Sequence, residues 1–226
     1  MCGRFQSSSP TSDLVERYGA RPASDTAEAQ PKWNVAPTDA VRVVRQPPEG
    51  QLRLEAARWG LHPSGAARLL INVRAETLLG RAALRWSRVV VPADGFYEWR
   101  PSTRGSEPFH FRRTDGDLLS LAGMWAPGAD GAPASVAIVT TDGGEDLAGV
   151  HDRMPVVLEE GDWQQWLEAP GGQPWHLAEL LRPSPARTLV ARRVSTQVNR
   201  VSNDGPALLD PPPEDAATQP MLEGFG

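Results

Sequence analysis

Short stretches of alternating apolar and polar residues follow one another along most of the chain, separated by turn signals such as Asp115-Gly116. Runs of this length that are rich in Val, Ile, Phe and Trp are typical of half-buried β-strands. The pattern predicts strands over residues 41–45, 52–61, 69–74, 89–91, 96–99, 109–113, 119–125 and 136–141.

Helical periodicity is confined to a few short segments. Thr11-Ser12-Asp13, followed by apolar residues, predicts a capped helix that runs to Tyr18 and ends at Gly19. Further helices are predicted over residues 77–86, 145–150, 162–167 and 175–181. Because strands and helices do not alternate regularly, an antiparallel or mixed sheet is favoured over a doubly wound parallel one.

Composition narrows the class of protein further. The 226 residues suffice for one hydrophobic core, and no apolar run is long enough to cross a bilayer. The lack of a signal peptide and the single cysteine indicate a soluble protein of the reducing cytoplasm. The net charge of −5 argues against a broadly basic nucleic-acid coat but leaves room for a local basic groove. Residues 211–226 are proline-rich and acidic, so we expect one domain over 2–210 and a disordered tail.

The only cysteine, Cys2, directly follows the initiator Met1. If Met1 is removed, Cys2 carries an amine with a pKa near ~7.7–8.0 beside a thiol with a pKa near ~8.5. Such an aminothiol condenses with an aldehyde to a Schiff base and then closes a thiazolidine ring. Chain termini are commonly frayed and a lone cysteine is more often inert than catalytic, so its position alone does not decide the matter.

Two ionisable residues are candidates for proton transfer. Glu98 stands between two aromatic residues, where burial would raise its pKa towards that of a general acid; an outward-facing carboxylate is the equally weighted alternative. His151 follows a short predicted helix and suits proton transfer near neutral pH, although a structural histidine would fit the same place.

Polar and aromatic residues suited to nucleic acid occur on several predicted strands. Asn72 and Arg74 are two apart and share one strand face, where they could hold a polar ligand. Trp59, Trp99 and Trp125 could stack on unpaired bases, but most tryptophans are expected to pack in the core. The chain has no phosphate-binding glycine loop and no spaced set of metal ligands, so neither a cofactor nor a metal is expected.

Taken in order, the motifs resemble the SRAP domain family, which is named for SOS response-associated peptidases and comprises sensors of abasic sites in single-stranded DNA. The resemblance spans nearly the whole predicted domain. It rests on Cys2-Gly3-Arg4-Phe5, Asn34-Val35-Ala36-Pro37-Thr38, Trp59-Gly60-Leu61, the strings around Asn72 and Glu98, His151-Asp152-Arg153-Met154-Pro155 and Val198-Asn199. It implies a single compact α+β domain around a distorted, mainly antiparallel β-barrel with flanking short helices.

The resemblance also implies a mechanism and a partner. The Cys2 amine would form a Schiff base at C1′ of the abasic sugar and the thiol would close a thiazolidine. Glu98 would assist sugar opening, His151 would move protons and Asn72 would orient Cys2. The residues implied in DNA binding are Arg4, Arg74, Trp59, Trp99 and Arg153. The expected partner is single-stranded DNA with abasic sites, bound by a monomer that is nucleoid-associated when crosslinked.

Two other functions use the same features. A thiol peptidase or self-processing hydrolase would employ the N-terminal cysteine as its nucleophile and the α-amine as its base. A non-covalent binder of single strands would need the arginines and aromatic rings but not the thiol.

Overall fold

The computed structural model describes residues 2–48, 50–62, 68–78, 86–103, 105–129, 131–168 and 177–213. Met1 and residues 214–226 of the predicted tail lie outside these ranges, so the removal of Met1 and the domain bounds stay predictions. Pro212 is buried against the domain. Within the described ranges, no helix combines the length and the apolar character that a membrane crossing requires.

Strands dominate the described part of the chain. The strands are β1 (Arg4–Ser7), β2 (Arg21–Pro22), β3 (Lys32–Val35), β4 (Ala40–Arg45), β5 (Arg53–Trp59), β6 (Asn72–Arg74), β7 (Ser87–Ala93), β8 (Gly95–Ser102), β9 (Gly105–Arg113), β10 (Leu119–Ala126), β11 (Ser135–Asp142), β12 (Arg153–Pro155), β13 (Val157–Leu158) and β14 (Leu189–Arg193). The α-helices are α1 (Thr11–Tyr18), α2 (Ala75–Leu78) and α3 (Asp162–Glu168), and the 3-10 helices are Thr26–Glu28, Glu145–Leu147, Thr196–Asn199 and Pro206–Leu209.

The predicted helices have mixed outcomes. Helix α1 has the predicted bounds and ends where Gly19 adopts φ 59°, although Pro10 caps its start without a side-chain hydrogen bond. Helix α3 is also confirmed. The helix predicted over 145–150 is wrong, because a 3-10 turn stops at Leu147 and Gly149 follows with φ 79°.

Two further helix predictions fall partly outside the described residues. The helix predicted over 77–86 is described only as far as Leu78, the last residue of α2, because residues 79–85 lie outside the described ranges. Leu177 has 3-10 geometry and residues 178–181 form turns rather than the predicted helix, while residues 175 and 176 lie outside the described ranges.

Two β-sheets make up the centre of the fold. One has the strand order β14-β9-β8-β1-β3, and the other has the order β12-β11-β10-β7-β4-β5-β2. Because β11 also pairs in parallel with β5, the path β5-β4-β7-β10-β11 closes into a ring. Two of its contacts, β4 with β7 and β5 with β11, are short, so the ring is irregular. The predicted α+β fold around a distorted, mainly antiparallel β-structure is confirmed.

Alternating side chains divide the core into two principal clusters. Val89 and Val91 face a cluster that also holds Cys2, while Val90 between them faces a cluster covered by α1 and α3. This alternation is the two-residue period of a strand that is buried on both faces. The N-terminus therefore enters the apolar interior, and Cys2 is fully buried.

Candidate active site

Strand β1 places Cys2 in the interior because it pairs with β3 on one side and with β8 on the other. The Cys2 Sγ lies 3.9 Å from the carbonyl oxygen of Arg4, a weak sulfur contact. Burial raises the pKa of the Cys2 thiol, and the nearby charge of Glu98 raises it further. The thiol is therefore protonated at neutral pH.

Asn72 holds the backbone of Cys2. Strand β6 runs parallel to β11 and brings Asn72 opposite Ile138. Its side-chain amide Nδ2 donates a hydrogen bond of 2.8 Å to the Cys2 carbonyl oxygen. Its Oδ1 is buried and accepts no hydrogen bond from the described residues. The Asn72 oxygen is therefore an unused hydrogen-bond acceptor close to Cys2.

Glu98 and His151 form an ionisable pair beside Cys2. Glu98 on β8 is 3% exposed, and burial raises the pKa of its carboxyl group to about 7. The Nε2 atom of His151 lies 3.9 Å from Glu98 Oε2. Burial also lowers the pKa of His151. Both groups consequently favour their neutral forms more than they would in water.

The other ring nitrogen of His151 helps to define its tautomer. The backbone N–H of Arg153 donates a 2.9 Å hydrogen bond to Nδ1, which requires a lone pair there. The exposed carboxylate of Asp152 also lies 2.9 Å from Nδ1, a contact that favours a proton instead. In neutral His151 the amide contact places the proton on Nε2, which faces Glu98.

Arg153 makes structural contacts, and the DNA contact predicted for it stays a prediction. Its guanidinium donates hydrogen bonds to the carboxylates of Glu76 and Asp142, each at 2.7 Å, and to the carbonyl of Thr140 at 2.8 Å. The residue is 9% exposed. Because these partners belong to α2 and β11, Arg153 fastens the segments that carry Asn72 and His151.

The two tryptophans predicted to face DNA have different surroundings. Trp59 is fully buried, packs edge-on against Phe5 at 5.0 Å and donates from Nε1 to the carbonyl of Ile71. Its ring is out of reach of a base, so we correct that prediction and assign it to the core. Trp99 is only half-buried, and its Nε1 donates to Asn199 Oδ1 at 2.7 Å.

The two arginines predicted to contact phosphates, Arg4 and Arg74, differ in their exposure and in their contacts. Arg74 is exposed at the end of β6. Arg4 is half-buried and donates to Asn34 Oδ1 at 2.7 Å and to the Val198 carbonyl at 2.9 Å. Its guanidinium also lies over the ring of Trp99, 5.9 Å from the centroid. Arg74 is thus open to solvent, whereas Arg4 is held in a fixed position.

Asn34 is an organising residue to which sequence reasoning gave no role. Its Nδ2 donates to the carbonyls of Val198, Arg200 and Asn203, while its Oδ1 accepts from Arg4. It therefore fastens the chain after β14 over the start of β1. Its place in the Asn34-Val35-Ala36-Pro37-Thr38 motif was the one feature of the sequence that pointed to a role for Asn34.

No group of three or more His, Cys, Asp or Glu residues in the described ranges has the arrangement of a metal site. The residues around Cys2 offer proton donors and acceptors: a protonatable carboxyl, an imidazole and an amide. This set suits acid–base and nucleophilic chemistry.

Comparison with known proteins identifies a family and several relatives of this chain. The family model described as SOS response associated peptidase (SRAP) matches residues 1–201. A Bacillus subtilis protein named Abasic site processing protein YoqW is 32% identical, with 93% of this chain and 99% of that protein covered. Abasic site processing protein YedK of Escherichia coli is 30% identical, with coverages of 93% and 100%.

Solved structures share the fold. A crystal structure of a Bacteroides thetaiotaomicron protein matches with a TM-score of 0.79 and 19% identity, covering 93% of this chain and 99% of that one. A phage-related protein from Bordetella bronchiseptica matches with a TM-score of 0.70 and 28% identity, covering 86% and 95%.

Proposed function

Because this chain belongs to the SRAP family, we propose that it recognises abasic sites in single-stranded DNA and binds them covalently through Cys2. The names of its relatives support a role in abasic-site processing. The covalent step is our inference from the chemistry available around Cys2. It requires that Met1 be removed, so that the α-amine of Cys2 is free.

The observation that carries the proposal is the convergence of four residues from distant segments. Asn72 binds the Cys2 carbonyl, the charge of Glu98 is felt by the Cys2 thiol, and His151 lies next to Glu98. An N-terminal cysteine with only a packing role would not need a protonatable carboxyl and an imidazole beside it. Perturbed ionisable groups gathered at one place are typical of catalytic sites.

The first step uses the amine of Cys2. An abasic deoxyribose opens to an aldehyde, and the amine nitrogen forms a bond to C1′ while the carbonyl π electrons move to oxygen. Loss of that oxygen as water, protonated by the Glu98 carboxyl, leaves a Schiff base. A carboxyl group with a pKa of about 7 is a suitable acid for this transfer near neutral pH.

The second step uses the thiol. The Cys2 Sγ forms a bond to C1′, the π electrons of the C=N bond move to nitrogen, and the thiol proton is transferred to that nitrogen through His151. The sum of both steps is amine plus thiol plus aldehyde giving thiazolidine plus water. Asn72 would hold the Cys2 backbone so that both nucleophiles reach the same carbon.

The buried thiol favours this sequence over thiol peptidase chemistry. A thiol peptidase depends on a thiolate, and the pKa of Cys2 is raised rather than lowered. An attack that begins at the amine does not need a thiolate, because the thiol enters only after the electrophilic imine has formed. The family's name is thus compatible with a member whose first nucleophile is an amine.

Three substrates in parallel reactions test the proposal. Purified protein is incubated with abasic single-stranded DNA, with the same intact strand and with unstructured peptides, and the products are separated by denaturing electrophoresis. We expect an adduct that survives denaturation only with abasic DNA, and no peptide cleavage.

Two substitutions serve as controls for the chemistry. Cys2→Ser keeps the amine and the size but has no thiol, so it should give at most a labile Schiff base that borohydride traps. Cys2→Ala should do the same. A stable adduct with either variant, without reduction, would contradict ring closure by the thiol.

A further inference from the structure

The Nδ1 atom of His151 has two neighbours that favour opposite protonation states. The backbone N–H of Arg153 donates to Nδ1 at 2.9 Å, which requires a lone pair on the nitrogen. The Oδ1 atom of Asp152 lies at the same distance of 2.9 Å. An ionised carboxylate only accepts hydrogen bonds, so this contact requires a proton on Nδ1. The imidazole therefore has one partner for each of its two neutral forms.

The carboxylate of Asp152 pairs with His151 alone. Its side chain is 89% exposed, and within the described ranges its only ion pair is the one with the imidazole. The guanidinium of Arg153, the next residue in the chain, is paired instead with Glu76 and Asp142. The charge of Asp152 is thus not used by the adjacent arginine and acts on the histidine.

The backbone that carries this contact is ordered on both sides of it. The N–H of His151 donates to the carbonyl of Leu147 at 3.3 Å, and the carbonyl of Asp152 accepts from the N–H of Gly143 at 2.6 Å. Strand β12 follows at once and pairs with β11. The exposed carboxylate is therefore attached to a fixed turn, and little conformational entropy is lost when it meets the ring.

The position of the proton on the ring determines what His151 can do in the site. Its Nε2 atom is the one that faces Glu98, at 3.9 Å from Oε2. If Nδ1 carries the proton, Nε2 has a lone pair and can act as a base. If Nδ1 has the lone pair, Nε2 carries the proton and can act as an acid. Acceptance of the Cys2 thiol proton at Nε2 requires the base form.

We propose that Asp152 is a positioning residue that selects the base form of His151 for closure of the thiazolidine ring. The inference rests on the proposed function, because it concerns the proton transfer of its second step. Asp152 accepts a hydrogen bond from Nδ1–H, and Nε2 takes the proton from Cys2 Sγ as the sulfur bonds to C1′. The imidazolium then gives this proton to the nitrogen that receives the C=N π electrons.

Asp152 remains a carboxylate throughout this transfer and stabilises the imidazolium by its charge. Burial lowers the pKa of His151, and the charge of Asp152 acts in the opposite direction. Because the carboxylate is exposed, the pairing is weak and is screened by salt. Loss of the charge should slow ring closure by about two- to fivefold at low salt, and by less at high salt.

The first test measures the tautomer of His151 without DNA. Long-range proton–nitrogen NMR distinguishes protonated from unprotonated ring nitrogens, and the His151 signals are those that His151→Gln lacks. The variant is Asp152→Asn, whose amide has no charge and can either donate to Nδ1 or accept from it. The matched control is Glu145→Gln, because Glu145 is an exposed acidic residue of the same segment and makes no ion pair among the described residues.

We expect wild-type protein at pH 8 to show a share of Nδ1–H that Asp152→Asn reduces and Glu145→Gln retains. The second test separates the chemical steps in single-turnover reactions with abasic single-stranded DNA. Quenching with borohydride traps the Schiff base together with the ring-closed adduct, whereas quenching without it leaves only the ring-closed adduct. Asp152→Asn should form the trapped total at the wild-type rate and the ring-closed adduct more slowly, and Glu145→Gln should match wild type in both.

The outcomes separate this inference from the proposed function. Wild-type ring-nitrogen signals in Asp152→Asn overturn the inference, even if wild-type protein forms the Cys2 adduct. Equal changes in Glu145→Gln also overturn it, because they indicate a general effect of charge. A changed tautomer with an unchanged rate of ring closure overturns the role in that step. A tautomer change confined to Asp152→Asn supports selection of the base form, even if no adduct forms and the proposed function fails.

Discussion

The Nε2 atom of His151 lies 3.9 Å from Oε2 of Glu98, although the two residues belong to segments far apart in the chain. Strand β8 carries Glu98, and the turn before β12 carries His151. Their proximity beside Cys2 joins an acid with a raised pKa to an imidazole with a lowered one. Such a pair can pass a proton in either direction near neutral pH.

Glu98 should determine the alkaline side of the pH–rate profile. Its carboxyl group has a pKa of about 7, so the acid form is lost as the pH rises through that value. Glu98→Gln should slow adduct formation by about 10²–10⁴-fold and remove the decline above pH 7, because glutamine does not titrate. Single-turnover crosslinking from acid to alkaline pH measures both effects, and an unchanged profile in the folded variant would exclude Glu98 as the acid.

The same substitution should stabilise the protein at alkaline pH. The pKa of Glu98 is higher in the folded state than in the unfolded chain, so the native state binds the proton more tightly. The resulting contribution to stability is fully present below the unfolded pKa and is lost as the pH rises through about 7. Glu98→Gln should therefore raise the Tm at pH 8 but change it little at pH 4. A lower Tm at pH 8 would show that ionised Glu98 is stabilised by its surroundings.

Substitution of Arg74 should affect DNA binding, whereas substitution of Arg153 should affect stability. Arg74→Gln should reduce the magnitude of the salt slope for single-strand binding by about 0.7 and leave stability unchanged. Arg153→Gln should lower the free energy of unfolding by about 1.5–3 kcal/mol, because it removes hydrogen bonds to charged groups. Denaturant unfolding and salt titration of both variants distinguish the roles. A stable Arg153→Gln protein with a reduced slope would restore the DNA contact predicted from the sequence.

Trp59 and Trp99 offer a second contrast. Trp59→Ala should lower the free energy of unfolding by about 3–5 kcal/mol, since it removes a fully buried ring. Trp99→Ala should lower the free energy of unfolding less than Trp59→Ala, because the ring is only half-buried, and should weaken single-strand binding by about 1–3 kcal/mol, the value of one stacked base. The comparison uses urea unfolding and fluorescence anisotropy, with Trp59→Phe as a milder core control. Weakened DNA binding in stable Trp59→Phe would contradict its assignment to the core.

The strands of the fold could be predicted because alternation and turn signals are local. The predicted strands over 41–45, 119–125 and 136–141 coincide closely with β4, β10 and β11, whereas the one predicted over 109–113 covers only the second half of β9. Strand β14 was missed, since a single edge strand beside loops carries little alternation of its own. The helix predicted over 145–150 stops at Leu147, and Gly149 follows in the left-handed conformation, which periodicity does not report.

The site residues could be proposed from motifs, but their partners could not. Arg153 follows His151 by two residues in the sequence, yet its carboxylate partners, Glu76 and Asp142, come from other elements. Likewise, the burial of Trp59 depends on how β5 packs against β1, a contact between segments far apart in the chain. Packing between distant segments thus determines which arginines and tryptophans can reach a ligand and which ones stabilise the fold.

Intact mass spectrometry of the protein after incubation with an abasic oligonucleotide shows both whether a covalent adduct forms at Cys2 and whether Met1 has been removed. We expect one adduct whose mass equals the protein without Met1 plus the oligonucleotide minus one water, with the modification mapped to Cys2. The adduct should be absent with an intact oligonucleotide. A stable adduct on protein that retains Met1, or one mapped to another residue, would contradict the account.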